Sequence, residues 1–239
     1  MQYMKWPLIG LALAGLAGQA GASLISIGTI PSTGNGIGAV NTSVTFQNTG
    51  TESGCVAFNG TTATAGAGSC PGGFTGGDEK PGSSQTNVFT ASQLGFTATN
   101  NFSNLVVLFN GNEGGNAGDQ PITLNSLGLS LYSSTGTRLA TFTTTTSMDF
   151  AAFPGVGNAG FGFALDAAQA SAANALLAAN PLLQIGTEAN VSNAQGGAET
   201  IQLTTVTNTG LAVPEPGSLS LLSMGLLLVG ISVRKRLQL

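Results

Sequence analysis

The stretch Ile122–Thr144, ITLNSLGLSLYSSTGTRLATFTT, decides the fold class of this chain. Its first part, Ile122–Tyr132, and its last part, Arg138–Thr144, alternate apolar and polar positions, as half-buried strands do. The turn signal Ser133-Ser134-Thr135-Gly136 separates them. Two such segments joined by a short turn that contains glycine predict an antiparallel β-hairpin.

Similar short patterns surround this hairpin. Leu105-Val106-Val107-Leu108-Phe109 is a continuous apolar run, which predicts a strand buried on both faces. One helix is predicted over Ala167–Ala179, with Asp166 as its N-cap and Asn180-Pro181 at its end. The other predicted strands cover 23–30, 42–47, 87–89, 94–99, 161–165, 182–185 and 201–206, and 59–84 is predicted to be a long loop. This pattern predicts an all-β protein, a single β-sandwich domain of jelly-roll type with one short helix.

The N-terminal residues have the features of a secretory signal peptide. Lys5 supplies positive charge, Leu8–Ala17 is a short apolar region, and Ala20-Gly21-Ala22 forms an A-x-A cleavage site. We therefore predict a signal peptide over 1–22, cleaved between Ala22 and Ser23. The domain that folds is then expected to cover 23–212.

The C-terminal residues form a second segment that is distinct from the domain. Val213-Pro214-Glu215-Pro216 precedes an apolar run, Leu219–Val233, and the basic residues Arg234-Lys235-Arg236 follow. The run would form a helix about 25 Å long, which is short for a membrane span but sufficient for a thin bilayer. The prolines keep the preceding segment extended, and the basic cluster is expected to stay cytoplasmic.

This tail, 213–239 with a transmembrane segment at 219–233, resembles the PEP-CTERM sorting signal of exported proteins in Gram-negative bacteria. The Pro-Glu-Pro triplet, the apolar run and the terminal basic cluster carry the resemblance. It implies that the membrane protease exosortase is a partner, and that the chain is anchored in the inner membrane before it is processed and reaches the cell surface or the extracellular space. The alternative is a plain C-terminal anchor that is not cleaved.

The charge of the predicted mature domain excludes some partners. Its basic residues are Lys80 and Arg138, and it holds all the acidic residues of the chain except Glu215. The resulting net charge, about −7, argues against nucleic acid or an anionic membrane surface as a partner, because phosphates would have nothing to neutralise them. The chain has no histidine, which excludes a serine hydrolase with a histidine base.

The two cysteines, Cys55 and Cys70, are expected to form a disulfide, as an isolated even pair in an exported chain usually does. The segment between them is rich in Gly, Ala and Thr, and a bond there would constrain this loop. A metal site or a catalytic thiol is a poor alternative, since neither histidine nor a further cysteine is present.

Calcium is the one cofactor that the sequence suggests. Asn110, Asn112, Glu113 and Asp119 lie in a Gly-rich loop whose carboxylate and carbonyl oxygens could surround a hard cation, and Glu199 could add a ligand. Ordinary turn chemistry explains the same residues. The predicted ligands are Asn112, Glu113 and Asp119, and no other cofactor is expected.

No spacing of carboxylates selects a catalytic pair, so the chain is not expected to be an enzyme. We expect a protein of the cell surface or extracellular matrix, associated with exopolysaccharide or biofilm. The alternative is a carbohydrate-binding module, calcium-dependent or not, which predicts an exposed aromatic platform.

Overall fold

The structure is a computed structural model that describes residues 24–30, 41–66, 70–113, 121–150, 153–154 and 160–206. Within these ranges the chain forms strands and one helix. In chain order they are β1 (Leu24–Ile30), β2 (Thr42–Phe46), β3 (Thr49–Phe58), β4 (Ala63–Ala65), β5 (Phe89–Thr90), β6 (Leu105–Asn110), β7 (Asn112–Glu113), β8 (Ile122–Tyr132), β9 (Arg138–Thr143), β10 (Met148–Phe150), β11 (Phe153–Pro154), β12 (Gly160–Leu165), α1 (Ala167–Ala179), β13 (Gln184–Gln195) and β14 (Glu199–Thr205).

Two antiparallel sheets make up the domain. The first, of five strands, has the order β1-β12-β6-β14-β2. The second has seven strands and the central order β10-β8-β13-β3-β4, with β9 paired to β8 and β5 to β13. Strands β7 and β11 form a separate short parallel pair. The prediction of an all-β protein with one short helix is confirmed.

The core lies between the two sheets. One hydrophobic cluster contains side chains of both, among them Phe109 and Phe163 from the first sheet and Leu129 and Ile185 from the second. Phe150 of β10 packs against Phe161 with ring centroids 3.9 Å apart. Each such side chain contributes about 1.5–3 kcal/mol when fully buried, so this interior can hold the fold without a metal or cofactor.

Helix α1 begins and ends where its capping residues predict. The Asp166 carboxylate accepts a hydrogen bond from the Gln169 backbone N–H at 2.8 Å, which satisfies one of the free donors of the first turn. At the other end the Asn180 N–H donates to the Leu176 carbonyl. Ala170 and Ala173 are buried, and the other alanines of the helix face solvent.

The second sheet differs from the sequence prediction in several strands. Strands β3, β4 and β10 were not predicted, β4 lies within the predicted loop 59–84, and β13 extends ten residues beyond the predicted end at Ile185. Both β3 and β13 bury polar residues: Glu188 lies on the outer face under a covering loop, whereas Glu52 lies opposite Val191 on the core-facing side and accepts a hydrogen bond from the Asn48 N–H. The strand predicted at 94–99 is wrong: this segment forms turns, in which the Phe96 N–H donates to the Ala91 carbonyl.

Both ends of the described domain lie at the same end of the first sheet. Leu24, the first residue of β1, is opposite Leu165 at the end of β12. Thr205, the last residue of β14, is opposite Leu105 at the start of β6, which runs beside β12. We call this the terminal end. The short β2–β3 and β13–β14 connections lie at the opposite end, which we call the far end.

Candidate functional site

A disulfide joins strand β3 to the loop that follows β4. The Cys55 and Cys70 sulfurs are 2.03 Å apart, and the Cα atoms are 5.8 Å apart. Both residues are buried. Cys55 points away from the core, because its neighbour Val56 belongs to the hydrophobic cluster and side chains alternate along a strand. The bond therefore holds the turn 70–74 over the outer face of the seven-stranded sheet.

Two carboxylates cap the edge of β3. This strand pairs with β4 only from Val56 onward, so the earlier N–H groups on that edge need other acceptors. The Ser53 N–H donates to Asp78 Oδ2 at 2.8 Å, and the Cys55 N–H donates to Glu79 Oε1 at 2.7 Å. Both carboxylates thus have a structural role that the sequence did not predict.

Glu79 also lies beside the disulfide. Its carboxylate and the sulfurs of Cys55 and Cys70 lie within 4.8 Å of one another, the one such group of three possible metal ligands in the described part of the chain. Cysteine binds a metal ion as its thiolate, and both sulfurs are bonded to each other in the disulfide. These three residues therefore do not form a metal site.

Glu188 occupies a niche under the disulfide loop. It lies on β13 between Cys55 of β3 and Gly128 of β8, and it is 1% exposed. Its Oε2 accepts a hydrogen bond from the Gly72 N–H at 2.8 Å, whereas its buried Oε1 has no hydrogen-bond partner. Gly128 makes room for the side chain: a Cβ at this position would lie 2.6 Å from the Glu188 Cγ.

Tyr132 lies on the same outer face. Tyr132, Ser130 and Gly128 are two residues apart along β8 and therefore share this face, and Tyr132 is opposite Arg138 of β9. Its ring covers Gly186, where an added Cβ would lie 3.3 Å from the ring. The Tyr132 hydroxyl is buried and makes no hydrogen bond of good geometry, although the Ser130 hydroxyl is close enough to lower its pKa.

Burial dominates the electrostatics of this niche. Desolvation raises the pKa of Glu188 above its ordinary value of 4.5, and the Gly72 N–H and the Arg138 charge offset part of the increase. Desolvation also raises the pKa of Tyr132, with a smaller increase from the Glu188 charge. Glu188 and Tyr132 are only 1% and 4% exposed, so a polymer substrate has no access to either. Both side chains are therefore interior groups of the fold.

Sequence reasoning missed this niche because it ended the strand at Ile185. The signal was present: Ile185, Thr187, Ala189 and Val191 are core-facing and alternate with outward-facing residues, the period of a half-buried strand. Only the pairing of β13 between β3 and β8 brings Glu188 under Gly72, more than a hundred residues away in sequence.

The predicted calcium ligands are only partly described. Asn112 is half-buried in β7, and the backbone of Glu113 is opposite Pro154 of β11. Asp119 lies outside the described residues. The structure does bring the strands of Asn110 and Glu199 together, since Asn110 is opposite Thr200. Calcium binding at Asn112, Glu113 and Asp119 stays a prediction.

The predicted processing sites also lie outside the described residues. They comprise the cleavage site at Ala22 and Ser23, the motif Val213, Pro214, Glu215 and Pro216, and the basic residues Arg234, Lys235 and Arg236. Among the helices in the described ranges, none has the length and apolar character of a membrane span.

Comparison with known families identifies the tail. Residues 212–236 match the model of the PEP-CTERM protein-sorting motif, a range that includes the Pro-Glu-Pro triplet, the apolar run and the basic cluster. No curated protein and no solved structure matches the chain. The chain therefore carries a PEP-CTERM protein-sorting motif, which indicates an exported protein that is anchored in the membrane and sorted by exosortase.

Proposed function

We propose that this chain is a non-enzymatic protein of the cell surface or extracellular matrix, which exosortase cleaves near Pro214-Glu215-Pro216 and which is associated with exopolysaccharide or biofilm. The observation that carries the proposal is the sorting motif at 212–236, placed after a β-domain that ends at Thr205. A signal peptide over 1–22 would bring the domain to the outer side of the inner membrane.

The use of the carboxylates supports a role without catalysis. Glycoside hydrolysis needs two carboxyl groups facing a cleft. Asp78 and Glu79 accept backbone N–H groups of β3, Asp166 caps α1, and Glu188 is closed in its niche. Asp149 is exposed but accepts a hydrogen bond from the Thr123 hydroxyl at 2.7 Å. These contacts give five of the described acidic residues structural roles.

A carbohydrate-binding role receives less support. Such a module usually offers a flat exposed aromatic surface, and Leu182 is the one exposed large hydrophobic residue in the described part of the domain. Tyr132 is buried, and Phe58, Phe74 and Phe96 are only half-exposed. Retention of the protein on purified exopolysaccharide, reversed by a calcium chelator, would favour this alternative.

Terminal peptide mapping and intact mass of the protein from its native host test the proposal. We expect a mature chain that starts at Ser23 and ends between Val213 and Pro216. In a strain without exosortase, or in a Pro214→Ala/Pro216→Ala variant, we expect the uncleaved chain in the membrane fraction. A Ser218→Ala variant is the matched control and should be processed normally. A wild-type chain that still ends at Leu239 would show an uncleaved anchor and contradict the proposal.

A further inference from the structure

The position of the chain ends limits how the anchored domain can be oriented. The last described strand leaves the domain at the terminal end, and residues 207–218 join it to the apolar run that starts at Leu219. Twelve residues span at most about 40 Å even when fully extended. The longest strand, β13, has 12 residues and is about 40 Å long. The short connection favours orientations in which the terminal end is nearer the membrane.

Charge is distributed unequally between the two ends of the domain. Asp78 accepts from the Asn48 side chain in the β2–β3 connection, and Asp149 is opposite Thr123 near the start of β8. Both residues lie toward the far end and are at least partly exposed. At the terminal end the described acidic residue is Asp166, which is buried as the N-cap of α1. The net negative charge of the domain opposes contact with anionic lipid in general, but a surface of anionic lipid would repel the far end more strongly than the terminal end.

The terminal end also holds Arg138, which is an exposed cation, and Leu182, which is an exposed apolar side chain. Arg138 is opposite Tyr132, and Tyr132 is opposite Gln184, so Arg138 and Gln184 lie in one row across the end of the second sheet. Leu182 precedes Gln184 by two residues and is 66% exposed. The exposed face of α1, which ends shortly before Leu182, consists of alanine and serine without charge.

From these observations we propose that the terminal end of the domain, with Leu182, the exposed face of α1 and Arg138, contacts the surface of a bilayer that contains anionic lipid while the tail is anchored. Leu182 inserts at the level of the headgroups, and Arg138 pairs with lipid phosphate. This contact orients the domain so that its terminal end faces the membrane and its acidic far end points away from it. The inference rests on the membrane-anchored stage of the proposed function.

Tryptophan fluorescence tests this orientation. The chain has one tryptophan, Trp6 in the predicted signal peptide, so a tryptophan placed in the domain is the only one once the signal peptide is removed. Tail-bearing chains with Leu182→Trp or Thr49→Trp are purified from a host without exosortase. They are reconstituted in vesicles of phosphatidylethanolamine and phosphatidylglycerol, with and without bromine on the acyl chains. Thr49 is exposed at the far end and is the matched position.

We expect bromine to reduce the Leu182→Trp fluorescence about two-fold and to leave Thr49→Trp nearly unchanged. Adding Arg138→Gln to Leu182→Trp should weaken the quenching, whereas adding Lys80→Gln should not. Equal quenching at both positions, or none at Leu182→Trp in a chain that co-sediments with vesicles, would overturn the orientation. Quenching that requires added exosortase would assign the surface to the protease and overturn the lipid contact. Failure to co-sediment would overturn the anchoring and the inference together.

Discussion

Removing the disulfide is the most direct perturbation of the surface above Glu188. The variant Cys55→Ser/Cys70→Ser deletes the bond that holds the turn 70–74 against the sheet. This turn supplies the Gly72 N–H, the one hydrogen bond that the structure gives to the Glu188 carboxylate. The variant therefore acts both on the unfolded chain, which loses a cross-link, and on the native loop, which loses its anchor.

The size of the effect follows from the length of the closed loop. The two cysteines are 15 residues apart, and the chain-entropy relation gives about 3 kcal/mol for a loop of this length. In a domain of this size that loss lowers the melting temperature by about 6–12 °C. If the turn 70–74 also moves away from the sheet, the Glu188 carboxylate loses the Gly72 N–H as a donor, which adds to this loss of stability.

Urea unfolding and calorimetry of the mature domain measure this loss. Wild-type protein in reducing buffer should match the variant in stability, and the variant itself should not respond to reductant. Hydrogen exchange should increase at the amides of 70–74 and remain slow in β8 and β13. A loss below about 1 kcal/mol would refute the reasoning, because the loop would then be held by its other contacts and the cross-link would contribute little to stability.

Three further predictions concern the same domain. Glu188→Gln should raise stability at neutral pH. Because the pKa of Glu188 is raised in the folded state, its contribution to the free energy of unfolding is fully present below pH 4.5 and is lost as pH rises through the folded-state pKa. Urea unfolding between pH 4 and 8 should show this loss in the wild type and not in the variant. Gly128→Ala should destabilise the domain by about 1–3 kcal/mol, because its Cβ overlaps the Glu188 side chain, and a neutral result in chemical denaturation would show that the niche can expand. Calcium at a hundredfold its dissociation constant should stabilise the protein by about 2.7 kcal/mol. The predicted site is contradicted if calcium leaves the melting temperature unchanged, or if calcium raises it equally in the Glu113→Gln variant.

Local patterns were enough to predict the elements whose burial follows from their own residues. The hairpin of β8 and β9 alternates in its sequence, β6 is uniformly apolar, and Asp166 and Asn180 mark the ends of α1 by side-chain chemistry that acts within one turn. The tail was also readable without a fold, since the Pro-Glu-Pro triplet, the apolar run and the basic cluster are contiguous and now match the family.

Strand β3 and the Glu188 niche depend on tertiary structure, whereas the full length of β13 was visible in its alternation. The strand and the niche place polar or small residues where a sequence pattern expects apolar ones, and hydrogen bonds from and to distant segments stabilise them. The position of the chain ends is likewise a property of strand pairing, because Leu24 and Thr205 come to the same end of the first sheet only through β12 and β6. Chemistry that is local in sequence was therefore predictable, whereas contacts between distant segments were not, because their energy depends on which strands pair.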